Sequence, residues 1–108
     1  MISKNDNEYM TNFEGHINGS KPVVVDFFAE WCIPCKLMTP ELHKVKEMAG
    51  ERATVLKIDI DKNPDYMELY NIRTVPTLII FKNGHMLWRK NGLANAYEIL
   101  QSLNQHLS

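Results

Sequence analysis

The stretch VVVDFFAEWCIPCK, residues 23–36, changes character halfway along. Its first six residues are β-branched or aromatic apart from Asp26 and show no polar alternation, which is how a strand covered on both faces reads. From Cys32 the period becomes helical: Cys35, Met38, Leu42, Val45 and Ala49 recur at steps of three and four and form one apolar stripe, with Gly50 as a stop signal. A buried strand therefore runs into a helix, and both cysteines of the chain lie at the junction.

Upstream, Tyr9, Phe13 and Ile17 are four apart and predict a short amphipathic helix over residues 8–18, weakened by Gly15 and ended near Gly19. Residues 2–6 are too polar to read as an additional strand before it. Downstream, Thr54 to Ile60 predicts a second buried strand, with Leu56, Ile58 and Ile60 on one side and Val55, Lys57 and Asp59 on the other. Asn63-Pro64 opens a helix to about Tyr70, with Asn63 as N-cap. TVPTLIIF is a third apolar strand, and the Asn83-Gly84 pair predicts a tight hairpin into HMLWRKN, making the last two strands antiparallel. Ala96, Ile99, Leu100, Leu103 and Leu107 outline a terminal helix starting at Asn95. This order of elements predicts an α/β protein: a mixed sheet of four to five strands with helices on both faces.

With 108 residues, 44% of them hydrophobic, the chain suits one domain spanning 1–108 and has no room for a second. Twelve basic and thirteen acidic residues are scattered along it, so no long-range field draws it to nucleic acid or an acidic membrane. No apolar run approaches the ~20 residues of a bilayer span, and MISKNDNEYM lacks the apolar core of a secretory signal. A cytoplasmic location is the expectation, or a periplasmic one if a signal peptide has been removed. The six methionines are too dispersed to form a binding face; Met38 and Met48 are expected on the core stripe or its edge, and Trp88 is expected to pack.

With Cys32 at the helix cap, Cys32 and Cys35 lie on one turn, about 5–6 Å apart, within reach of a disulfide. The pair can open and close with little backbone motion, as a reversible redox couple requires. Pro34 is tolerated in the first turn, where its missing N–H would have no partner anyway. The helix N-terminus favours a thiolate at Cys32, the attacking form, whereas Cys35 begins the buried stripe. Cys32 is therefore read as an exposed nucleophile and Cys35 as the more buried resolving cysteine. A structural staple closing so small a loop would constrain the unfolded chain little. Zinc would need two further ligands, yet there is no second cysteine pair, and His43 and His85 lack finger-like spacing, so no metal is expected. Asp26 is an acid within an apolar strand; it must be protonated, paired or wet, or swing to a strand end.

WCIPCK, the upstream VVVDFFAEWC, Val75-Pro76 with Thr77, the FKNG turn and Gly92 occur in the order and spacing of the thioredoxin family, which the chain resembles over about residues 8–107. The resemblance implies a thioredoxin fold and a general protein-disulfide reductase with no bound cofactor beyond its own Cys32–Cys35 couple. It implies that Asp26 shuttles a proton to and from Cys35 and that Lys57 tunes Asp26, although Lys57 could equally extend its ammonium to water. It further implies a cis Val75–Pro76 bond facing the dithiol, a Val75 backbone that pairs with substrate, and a docking patch of Trp31, Ile33, Pro34, Val75, Pro76 and Gly92. The implied partners are thioredoxin reductase or an equivalent electron donor and disulfide-containing proteins, with the chain a monomer.

Two departures qualify the resemblance. Ile33 stands where the family usually has glycine, and Phe28 where it usually has tryptophan, so an indole N–H donor is lost. Ile33 carries no charge to stabilise a thiolate, which argues against a strongly oxidising enzyme. Two other readings compete: a narrower reductase of an oxidising compartment fed by a membrane reductant, and a non-enzymatic adaptor on the same fold.

Overall fold

The computed structural model describes residues 13–107. The expected Tyr9 and any strand over 2–6 lie outside them. The described chain forms helix α1 (residues 13–17), β1 (Val23–Phe28), α2 (Ile33–Ala49), a 3-10 turn (Gly50–Arg52), β2 (Thr54–Asp59), α3 (Pro64–Leu69), β3 (Thr77–Lys82), β4 (His85–Asn91) and α4 (Ala96–Asn104). The sheet order is β2-β1-β3-β4, with β1 parallel to β2 and antiparallel to β3. It is the mixed four-stranded sheet expected among the described residues.

The unalternating run of β1 is explained by what covers it. Val23, Val25 and Phe27 pack with Phe13, Ile17 and Tyr66 on one face. Val24 joins Met38, Leu42, Val45, Ile99 and Leu103 on the other. With both faces covered, polar alternation has nowhere to point, and burial of each such large side chain contributes about 1.5–3 kcal/mol. The buried residues of α2 are the five of the predicted stripe, and Gly50 ends the helix at φ 58°, a left-handed conformation available to glycine at little cost. Met48 departs from the expectation: it precedes Ala49 of the stripe by one and points outward, exposed.

The β3–β4 turn places Asn83 and Gly84 both at positive φ, the tight hairpin geometry that Asn-Gly favours. The turn docks on the end of α1, where Gly84 N–H donates to the Ile17 carbonyl at 2.7 Å and a Cβ on Gly84 would come within 2.8 Å of Asn18 Oδ1. Helix α4 starts at Asn95 with a complete capping box to Glu98. Glu41 on α2 adds a second acceptor for this terminus, taking the Ala96 N–H at 2.8 Å and tying the two helices on that face together.

Asn63 does not cap α3 through its side chain. Its amide turns back and donates to the Asp59 carbonyl at 2.9 Å, beside the Lys62 N–H that donates to the same oxygen at 3.2 Å.

Candidate active site

The end of β1, the first turn of α2 and the loop before β3 meet at one end of the two central strands. Cys32 is the N-cap of α2, and its Sγ accepts the Cys35 N–H at 3.1 Å. No acidic residue occupies the first turn, so the free N–H groups and the positive helix end act unopposed on a sulfur that becomes anionic. Cys32 and Cys35 are joined as a disulfide with their Cα atoms 5.3 Å apart, the span expected for one helical turn.

Burial differs from the sequence expectation. Cys32 is as enclosed as Cys35, each with 3% of its surface exposed. In the closed disulfide the Cys32 sulfur is turned inward, 3.6 Å from the Val75 carbonyl oxygen. What the surface presents instead is Trp31, 68% exposed, and Ile33, 71% exposed, with Pro34 beside them. The Val75–Pro76 bond is cis, as the resemblance implied. Pro76 accepts a hydrogen bond at its carbonyl from Gly92 N–H at 2.8 Å, which holds Gly92 next to the loop. Gly92 sits at φ 118°, where a side chain is strained even though a Cβ would meet nothing. Trp31, Ile33, Pro34, Val75, Pro76 and Gly92 therefore all belong to the segments that converge on the disulfide.

Asp26 lies on the α2 face of β1, alternating with Val24, and is fully buried. Neither carboxyl oxygen has a hydrogen-bond partner. Burial raises its pKa from 3.8 to about 7, and the positive charge of Lys57 pulls the other way. Lys57 is the direct β2 neighbour of Asp26 in the parallel register. Its ammonium donates to Thr39 Oγ1 at 3.4 Å and stands 4.7 Å from the centre of the Phe28 ring. Phe28 thus presents a π face to that ammonium. A cavity of about 370 Å³ opens here, lined among others by Phe28, Cys35, Thr39 and Lys57, so Cys35 and the lysine beside Asp26 border the same space.

Two participants escaped the sequence reading. Thr39 is one turn beyond Cys35, and its i+4 spacing was the available signal. Asp61 accepts the Trp31 indole N–H at 2.9 Å across thirty positions of sequence, a pairing that no local pattern announces.

A disulfide closed across the first turn of a helix, poised at the helix N-terminus, can accept and return two electrons, and with this fold it defines a thiol–disulfide oxidoreductase. The sequence profile of the family Thioredoxin matches residues 5–105, and the chain belongs to the thioredoxin family. It is 38% identical over 86 residues to a thioredoxin of Rickettsia bellii, covering 80% of this chain and 82% of that one. It is 45% identical over 73 residues to a thioredoxin of Alicyclobacillus acidocaldarius, covering 68% and 70%. Among solved structures it is similar to a mutant thioredoxin from Halobacterium salinarum, with a TM-score of 0.82, 28% identity, and coverage of 91% and 85%. No helix among the described residues is long and apolar enough to cross a membrane.

Proposed function

We propose that the protein is a general protein-disulfide reductase whose reduced Cys32 opens substrate disulfides and whose Cys35 releases them. In the first step the Cys32 thiolate attacks one substrate sulfur; a mixed disulfide forms, the substrate S–S bond breaks, and the departing substrate thiolate takes up a proton. In the second step Cys35, its proton passed to the Asp26 carboxylate, attacks Cys32 Sγ. The Cys32–Cys35 bond forms, the second substrate sulfur leaves as a thiol, and the protein is oxidised by the two electrons that the substrate gains. Thioredoxin reductase or an equivalent dithiol donor returns them, so the cycle calls for no bound cofactor. The proposal places this cycle in the cytoplasm, with the protein acting as a monomer.

The observation that carries this reading is Asp26: a sealed, unpartnered carboxyl with its pKa near 7, on the sheet face under α2. A group tuned to neutrality can both take and give a proton at working pH, which is the requirement on a base serving a buried thiol. Lys57 is then a tuning charge, and Trp31, Ile33, Pro34, Val75, Pro76 and Gly92 form the docking surface. Rapid mixing of the reduced Asp26→Asn variant with a protein disulfide is expected to show near-normal capture and slowed release. Equal slowing of both steps would sink the shuttle role.

A further inference from the structure

We infer that Arg89, far from the dithiol in sequence, is a positioning residue that fixes the loop presenting Val75 to substrate; the inference rests on the docking role proposed above for Val75. Helix α3 ends in a Schellman closure, with Asn71 at φ 54°, its N–H donating to the Glu68 carbonyl at 3.1 Å and the Ile72 N–H to the Met67 carbonyl at 2.8 Å. That closure uses two carbonyls and leaves those of Tyr70 and Asn71 for other partners. Arg89 on β4 takes both: Nη1 donates to the Tyr70 carbonyl and Nη2 to the Asn71 carbonyl at 2.9 Å. Nε donates to Asn91 Oδ1 at 2.9 Å, so all three nitrogens are engaged and the planar fork has one orientation. The position suits a cation, because the negative end of a helix dipole lies there.

The consequence concerns residues 71–76. Their far end is held by Gly92, the residue after β4, through its N–H to the Pro76 carbonyl, and their near end is held by β4 through Arg89. The segment of β4 and the residue that follows it therefore grips both ends of the loop that carries the Val75 backbone over Cys32, while the Tyr70 ring, its centre 5.2 Å from that of Phe81, anchors the inner side. Lysine at 89 would keep the charge and lose the fork, since a single ammonium cannot meet two successive carbonyls and Asn91 in this geometry.

The test compares the full chain with its Arg89→Lys and Arg89→Met variants on two substrates, insulin as a protein disulfide and 5,5′-dithiobis(2-nitrobenzoate) as a small one. For insulin, KM is expected to rise about fivefold with kcat nearly unchanged, because the loop must be ordered at the moment of binding. The small disulfide needs no backbone pairing and should react as with the unaltered protein. Amide hydrogen exchange at residues 72–75 should accelerate while β1 stays protected. Unchanged KM and exchange in both variants, or equal losses on both substrates, would overturn the inference. If Arg89→Met proves too unstable, Arg89→Lys alone decides through the exchange of 72–75. Failure of the unaltered protein to reduce insulin would instead refute the reductase reading, and the exchange measurement would still judge Arg89.

Discussion

Asp26→Asn is expected to flatten the pH dependence of stability of the disulfide-closed protein. The folded carboxyl holds its proton up to about pH 7, whereas the unfolded one gives it up near 3.8. Between those values the folded state binds more protons, so stability falls as pH rises, being fully present below the unfolded pKa and lost through the folded one. At about 1.4 kcal/mol per pKa unit, the cost of ionising the buried group reaches about 4 kcal/mol once pH is well above 7. Roughly 60% of it, between about 2 and 3 kcal/mol, falls between pH 5 and pH 8.5.

Urea titrations of the oxidised form at those two pH values, with unchanged m, measure that loss directly. The oxidised form is the right one, since its cysteines do not titrate and leave Asp26 as the buried group in question. The asparagine amide is buried without partners as well, so it carries its own penalty, but one that does not change with pH. The two proteins should therefore differ in slope whatever their offset. A wild type that loses under about 1 kcal/mol across this range, or a variant with the same slope, would refute the claim that an unpaired buried carboxyl dominates.

Three further outcomes follow from named contacts. Lys57→Met removes the one charge that lowers the Asp26 pKa, so the window of pH-dependent stability should move above that of the wild type; a downward move would contradict the assigned sign. Cys35→Ser should accumulate mixed disulfides on Cys32, visible as adducts on non-reducing gels, and their absence would count against the assigned cysteine roles. Asn95→Ala breaks the capping box of α4 and should cost about 1 kcal/mol in chemical denaturation, with no effect on the dithiol.

What was legible in the sequence is what local periodicity encodes. Covering β1 on both faces erases alternation, a 3.6-residue stripe buries five residues of α2, and Asn83-Gly84 can satisfy a turn that needs two positive φ angles. Asp26 stood out because nothing in its strand could hydrate it. Illegible were the choices made by groups brought together from afar. Trp31 finds Asp61 and Arg89 finds the end of α3, both decided by loop paths that no window of residues contains. The enclosure of the Cys32 sulfur is of the same kind, because the Val75 carbonyl 3.6 Å from it comes from 43 positions away.

The two departures from the family pattern fall on opposite sides of the disulfide, and this separates their effects. Ile33 is among the most exposed apolar residues, while both sulfurs beneath it are sealed, so its side chain adds to the surface a partner must cover and leaves the proton chemistry below untouched. Phe28 lies inward, its ring under the Lys57 ammonium and on the wall of the cavity that Cys35 borders. The ring face attracts the same ammonium that donates to Thr39 and lowers the Asp26 pKa, so position 28 acts on Asp26 through Lys57. On the function proposed above, exchange at position 33 should change which proteins are reduced, and exchange at position 28 should change the pH at which release is fast.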